Sequence, residues 1–336
     1  MGSPNDVVGE SAGRARCATA VFQWAQEHGE VGGVRTSHDQ LTRSLRDAGH
    51  QVRYVDTGSM TRAARALPSA AFTRPALHLL HLTRLWRAVI LAPLSAALRG
   101  RTVLVLHSGS TRRQVDGTWP MLRRVLWRAL RAYDEIWTVN DEILALLPPA
   151  LRARATVVTP FDASMASCGA DTGRDPHSMA MATNAGLAHY NADVGIEVGR
   201  LVRTAWPDLT LTILAYGNDG PDLARLRERV ATERWITMPF DLPRGEVSAV
   251  LRQAGTFLRP TSWDGDSVIV REALASGARV VASDVAPRPR GVELAPLEPV
   301  ALAEAVLHGG TPSEGLGVTE TTLAQAATAA LARLGS

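Results

Sequence analysis

Two carboxylates eight residues apart, Asp264 and Glu272, stand in the run LRPTSWDGDSVIVREALASGARVVASDVAPRPRGVE over residues 258–293. The run predicts a strand ending at Pro260, a loop over residues 261–266 and a helix over residues 267–276 with Ser267 as its N-cap. First-turn amides of such a helix point back into the loop, and a dipole of roughly half a positive charge favours an anion there. A diphosphate suits that site, because negative charge grows on it as a sugar–phosphate bond breaks. Gly265 lets backbone approach a ligand closely. With Asp264 in the loop and Glu272 about a turn and a half into the helix, one carboxylate can face a hexose and the other a ribose. Sugars present vicinal hydroxyl donors, and a carboxylate accepts two of them at once. The plainer reading makes Glu272 a solvated helix residue and Asp264 part of the turn.

These groups need a scaffold. At 336 residues the chain is long enough for two domains and a cleft, and 46% hydrophobic with 21% charged residues is ordinary globular composition. Residues 17–24 (CATAVFQW) read as a first strand, residues 26–35 as a Gly-rich turn, residues 36–48 as a helix and residues 51–55 as a second strand. That order favours a parallel sheet with a right-handed crossover. Residues 76–98 read as an Arg-studded helix, 102–106 (TVLVL) as a strand, 120–131 as a helix, 135–139 as a strand, 143–147 as a short helix and 156–159 as a closing strand. Residues 162–177 have the composition of a linker, after which a second α/β series runs to a final Ala-rich helix over residues 321–334.

Composition excludes several classes. The most apolar stretch, residues 88–98, is far shorter than the roughly 20 residues of a spanning helix, and it follows Arg84 and Arg87. Charges throughout the first 30 residues leave no visible secretory signal, so a cytoplasmic protein is expected. Cys17 and Cys168 have no nearby second ligand, which argues against a disulfide framework and a zinc site. All basic residues are Arg, with 21 against 12 acidic residues over residues 1–160 and 15 against 21 over residues 161–336. The basic half could draw an anionic partner or a membrane surface, the mixed Arg, Leu and Trp of residues 72–98 being the candidate face. No strand leads directly into a G-x-G-x-x-G with an acid about 20 residues on, which disfavours a dinucleotide-dependent oxidoreductase. No aromatic-interleaved basic strip suggests nucleic acid.

The Asp264-x7-Glu272 pattern inside RPTSWDGDSVIVREALASGARVVASD resembles the Glu-x7-Glu motif of retaining GT-B glycosyltransferases of family GT4. The resemblance extends to Gly32-Gly33 before a helix, to AGHQV over residues 48–52 and to His107 after TVLVL. It implies an α/β protein of two Rossmann-like domains with parallel sheets facing across a cleft, a nucleoside diphosphate sugar held mainly by the second domain, retention at the anomeric carbon and no obligatory metal. The expected units are residues 17–161, 178–318 and a C-terminal helix over 319–336 that packs back on the first domain.

Carried over residue by residue, the resemblance implies that Asp264 contacts donor-sugar hydroxyls, that Gly265, Asp266 and Ser267 supply backbone to sugar and diphosphate, and that Glu272 holds the ribose. His107 would face the sugar, with Gly32 and Gly33 near the phosphate and acceptor. Gly217-x-x-Gly220 resembles a loop lining the nucleotide pocket, and Phe240, within MPFDL, lies where the family's base pocket forms. Asp264 replaces the family's usual Glu with a shorter side chain. The Arg and Lys that the family places after the first strand of the second domain are absent from ATNAGLAHYNADVG, so Arg259, Arg271, Arg288 or Arg290 would have to clamp the diphosphate. The expected activity is transfer from a GDP- or UDP-linked sugar to a small natural-product hydroxyl, amine or thiol, as in antibiotic biosynthesis. A lipid-linked or cell-surface glycan acceptor and a non-catalytic sugar-nucleotide-binding partner are the alternatives.

Overall fold

The computed structural model describes residues 19–25, 33–57, 60–162, 173–313 and 321–335. The expected N-terminal tail, Cys17, Cys168, Gly32 and residues 163–172 of the expected linker lie outside these.

The first α/β series runs β1 (Ala20–Ala25), α1 (Gly33–Asp47), β2 (Gln51–Asp56), α2 (Met60–Thr73), β3 (Leu77–Leu82), α3 (Trp86–Ala97) and β4 (Arg101–Leu106). It continues through α4 (Thr111–Asp116), α5 (Pro120–Leu130), β5 (Glu135–Thr138), α6 (Asp141–Leu146), α7 (Pro149–Arg152) and β6 (Ala155–Val157). Its strands form one parallel sheet in the order β2-β1-β3-β4-β5-β6. Alternation sorts the side chains: Leu80, Leu82, Leu104 and Leu106 face α3 and α5, whereas Leu77, Leu79, Val103 and Val105 face Leu41 and Leu45 of α1.

One expectation fails here. Residues 76–98 are not one helix but β3, a loop and α3. All six side chains of β3 (LHLLHL) are buried between β1 and β4. A continuous apolar run with both faces covered is what a central parallel strand requires, and periodicity alone does not separate it from a buried helix. Arg74, at φ 43°, and Pro75 separate it from α2.

The second series comprises β7 (Asp175–Asn184), α8 (Ala192–Arg203), β8 (Thr210–Tyr216), α9 (Pro221–Ala231), β9 (Ile236–Thr237), α10 (Arg244–Gln253) and β10 (Ala254–Arg259). Then follow α11 (Val268–Ala275), β11 (Arg279–Ser283), β12 (Val292–Ala295), α12 (Pro299–His308), β13 (Thr311–Pro312) and α13 (Leu323–Gly335). The sheet order is β13-β12-β11-β10-β7-β8-β9, parallel except for the short edge strand β13. This is a doubly wound sheet whose switch point lies between β7 and β10, where ligands of such sheets bind outside the carboxyl ends.

The chain does not end on the second domain. Leu323, Ala327, Ala330 and Leu331 of α13 enter the core of the first, against Leu41, Leu45 and Val105, and Arg333 pairs with Glu135. Beside it Thr159 and Thr322 form a parallel bridge.

Candidate functional site

The carboxyl ends of the two sheets face one another across a cleft of about 1050 Å³ of empty space including its mouth. His107 follows β4, Pro160 follows β6, Tyr216 ends β8 and Arg259 ends β10, and all four line it. So do Asp264, Gly265, Asp266, Ser267 and Glu272, which brings together seven of the residues singled out by sequence. Gly33, Gly217, Gly220, Phe240, Arg271, Arg288 and Arg290 are not among the lining residues. Gly33 opens α1, Phe240 bridges Ala215 and carries the Arg227 guanidinium 5.4 Å over its ring, and Gly217 adopts φ 103° with a bare face against the Asn184 side chain.

Loop 261–266 and α11 form as expected, with one difference. Ser267 occupies the N-cap position, but its side chain makes no cap hydrogen bond. The first-turn amides of α11 therefore have no side-chain acceptor, and the cleft wall over Ser267, Val268 and Ile269 is where an anion would meet them.

Asp264 lines the cleft with its carboxylate already engaged by protein donors. Its Oδ2 accepts from Arg259 Nε at 2.8 Å, from Arg288 Nη1 at 2.8 Å and from Thr261 Oγ1 at 3.4 Å, while Oδ1 accepts from Gly265 N at 3.1 Å. Burial alone would raise its pKa, yet the charges of Arg259 and Arg288 outweigh burial and hold it well below the usual carboxylate range. These donors occupy most of the roughly four lone-pair sites of the carboxylate. What Asp264 does is fix two guanidiniums. Arg259 also lies 4.7 Å over the Tyr190 ring, and Tyr190 shares a hydrogen bond with Tyr216. Arg288 Nη2 donates to Thr261 Oγ1 at 2.8 Å. Two cations around one anion leave a net positive site beside bare helix amides.

The Asp266 side chain is engaged as well. Its carboxylate pairs with Arg271 Nε at 2.6 Å and accepts from Thr159 Oγ1 at 2.7 Å, so it ties loop 261–266 to the first domain. Glu272 sits deeper, in an ion pair with Arg244 Nη2 at 3.0 Å. Its burial raises the carboxyl pKa, an effect that Arg244 partly offsets. Sequence reasoning missed Arg244 because nothing at the first position of a helix 28 residues upstream marks it as the partner of Glu272.

His107 belongs to a cluster that the sequence did not announce. His38 of α1, His81 of β3 and His107 are buried in ring contact, with centroids 4.1, 5.5 and 5.1 Å apart. One ring nitrogen from each lies within 4.8 Å of the others, so among the described residues these are the side chains that could hold a metal ion. However, His81 Nδ1 and His107 Nε2 are hydrogen bonded to each other at 2.8 Å, so two candidate ligand atoms are spent on one another. Burial lowers all three pKa values, that of His107 to about 4, and the neighbouring imidazoles lower His38 and His81 further. The cleft wall on this side is neutral at pH 7.

That neutrality has a consequence for stability. In the unfolded chain these histidines protonate near pH 6.5, whereas the folded protein keeps them uncharged. Their contribution is therefore complete above about pH 6.5 and is lost as pH falls below it, for His107 down to about 4, at about 1.4 kcal/mol per pH unit for each histidine. The thermal midpoint should drop steeply over that window, and His81→Gln should flatten the slope. An unchanged slope would show that His81 is charged in the fold.

Two doubly wound domains with opposed carboxyl edges, joined by a C-terminal helix that returns to the first, define the GT-B fold, as the resemblance implied. Sucrose-phosphate synthase from Thermosynechococcus elongatus has this fold, with TM-score 0.63 at 16% identity over 86% of this chain and 89% of that one. HepE of Anabaena, solved with UDP-glucose, matches at TM-score 0.62 and 13% identity over 85% and 88%. The catalytic domain of Arabidopsis thaliana starch synthase IV, bound to ADP and acarbose, matches at 0.54 and 9% over 80% and 84%. No protein-family model and no curated protein sequence matches the chain.

Proposed function

We propose that the protein is a retaining glycosyltransferase that moves a sugar from a GDP- or UDP-linked donor without a metal ion. The observation that supports this most directly is the positive site made by Arg259, Arg288 and the uncapped start of α11. Arg259 lines the cleft from the end of β10, and Arg288, in the loop after β11, stands behind it, buried and bound to Asp264. They take the place of cations that the resemblance would put after β7. A diphosphate there has charge partners that strengthen as the leaving phosphate gains charge, which is electrostatic stabilisation of the departing group. Glu272 would take the ribose hydroxyls beside Arg244, whose charge opposes the rise that burial imposes on its pKa. His107, neutral and facing the cleft, would meet the sugar without repelling or protonating it. The fold neighbours solved with UDP-glucose and ADP are consistent with this donor class.

The test is a calorimetric titration of UDP, GDP, ADP and TDP, each with and without EDTA. One nucleotide should bind at micromolar strength with EDTA making no difference; no binding to any of them would reject the reading. Glu272→Ala should weaken the binding nucleotide about 10- to 100-fold, the loss of charge-assisted hydrogen bonds worth about 1.5–3 kcal/mol. Unchanged affinity in that variant would remove Glu272 from the nucleotide site.

A further inference from the structure

We propose that the outer face of α5 docks the first domain on an anionic phospholipid surface. Eleven large apolar side chains are exposed among the described residues, and four of them fall between positions 119 and 125. Trp119 and Met121 are 78% and 77% exposed, with Leu122 and Val125 beside them. The helix already has its core contact, since Leu126 and Leu130 on the opposite side are buried against α3 and the sheet. What remains outward is apolar and cationic together. Arg124 and Arg128 are exposed and make no ion pair among the described residues, and no acidic residue occurs anywhere from position 117 to 133.

A second protein would be expected to meet such arginines with acids, and this chain's own acidic residues are concentrated in its other half. A bilayer with anionic headgroups supplies both needs at once, charge at the headgroups and an apolar layer a few ångströms below. Trp and Met reach the acyl boundary while Arg extends its guanidinium to the phosphates. Exposed aromatic and aliphatic side chains clustered with unpaired cations are otherwise a solubility liability. The helix is far too short to span a membrane, and no described helix qualifies to do so.

The position gives the contact a use. In the parallel β4-to-β5 crossover the connecting helix runs opposite to the strands, so the start of α5 lies toward the carboxyl edge that forms the cleft. Ten residues before Trp119, Gly109 already touches the sugar loop at Asp264. Docking through Trp119 and Met121 would therefore hold the cleft mouth near the membrane surface, where an acceptor anchored in lipid could enter. This last step rests on the glycosyltransferase reading, but the docking itself does not.

The experiment is cosedimentation of the full chain with phosphatidylcholine vesicles, with and without phosphatidylglycerol, in the absence of nucleotide. Binding is expected only with phosphatidylglycerol and should fall at high salt. Arg124→Gln with Arg128→Gln should weaken it about 25-fold, about fivefold for each arginine. Trp119→Ser with Met121→Ser should weaken it about tenfold or more, and the fluorescence shift on adding vesicles should shrink with it. All four positions are exposed, so thermal midpoints should match the parent. Absence of vesicle binding, binding that neither pair of substitutions alters, or a dimer that Trp119→Ser with Met121→Ser disperses would each overturn the proposal. Nucleotide titration on the same samples separates this outcome from failure of the donor site.

Discussion

Gly109→Ala should leave both domains folded and reduce kcat/KM by a factor of about 100 or more. The reason is a close approach of backbone to backbone between the domains. A Cβ at Gly109, in the loop after β4, would lie 1.9 Å from the carbonyl oxygen of Asp264 and 2.1 Å from its carbon. The contact is reciprocal, because a Cβ at Gly265 would lie 2.6 Å from the carbonyl oxygen of His107. No flexible side chain is available to yield, so the added methyl group must push the loops apart. Asp266, tied to Thr159, and His107 on the opposite wall would then lose their registration with α11. A misplacement of about 1 Å at a reacting centre costs about 100-fold, because the effective concentration of correctly placed groups collapses. Nucleotide affinity should change little, since that contact set lies within the second domain. Gly245→Ala is the control: it sits in α10 with nothing within 4 Å of a built Cβ, and its activity should match the parent. Full activity of Gly109→Ala would mean that turnover proceeds with the loops separated.

How legible this site was depends on how far apart its parts lie in sequence. The loop and α11 could be read because a strand end, a Gly-containing loop, a Ser and an apolar helical stripe follow each other without interruption. Lining by Asp264, Gly265, Ser267 and Glu272 followed from that local order alone. Their partners did not. Arg288 reaches Asp264 from 24 residues downstream and Arg244 reaches Glu272 from 28 residues upstream, so the guanidinium partners of both carboxylates are a tertiary fact. The same holds for His38, His81 and His107, which come from α1, β3 and the end of β4 and meet only because β3 and β4 are neighbours beneath α1. Strand β3 was misread for a physical reason as well: LHLLHL is buried on both faces and lacks the alternation that marks a half-exposed strand.

Asp264→Ala should destabilise the second domain by about 3–5 kcal/mol, the cost of leaving buried charge without its partner. Arg259 and Arg288 side chains are only 5% and 1% exposed, and both converge on the same carboxylate oxygen. Without it two like charges face each other beside the cleft. Had the carboxylate served the sugar alone, the same variant would melt with the parent and lose only turnover, so the melting curve decides between the roles. Asp264→Asn, which keeps the volume and one acceptor, should fall between. Adding Arg288→Met to Asp264→Ala should recover most of the lost stability, since an apolar side chain of similar length replaces a buried charge at little cost. Failure of that rescue would place the defect elsewhere than in uncompensated charge. The pH dependence gives an independent check. A carboxylate held below its ordinary range contributes stability that is complete above about pH 3.9 and is lost only as pH falls further toward its folded value. The histidine cluster begins to lose its contribution earlier, as pH falls below about 6.5. Acid unfolding should therefore begin in the first domain and reach the Asp264 site last, so Asp264→Ala should shift the whole curve above pH 4.5 without changing its slope there.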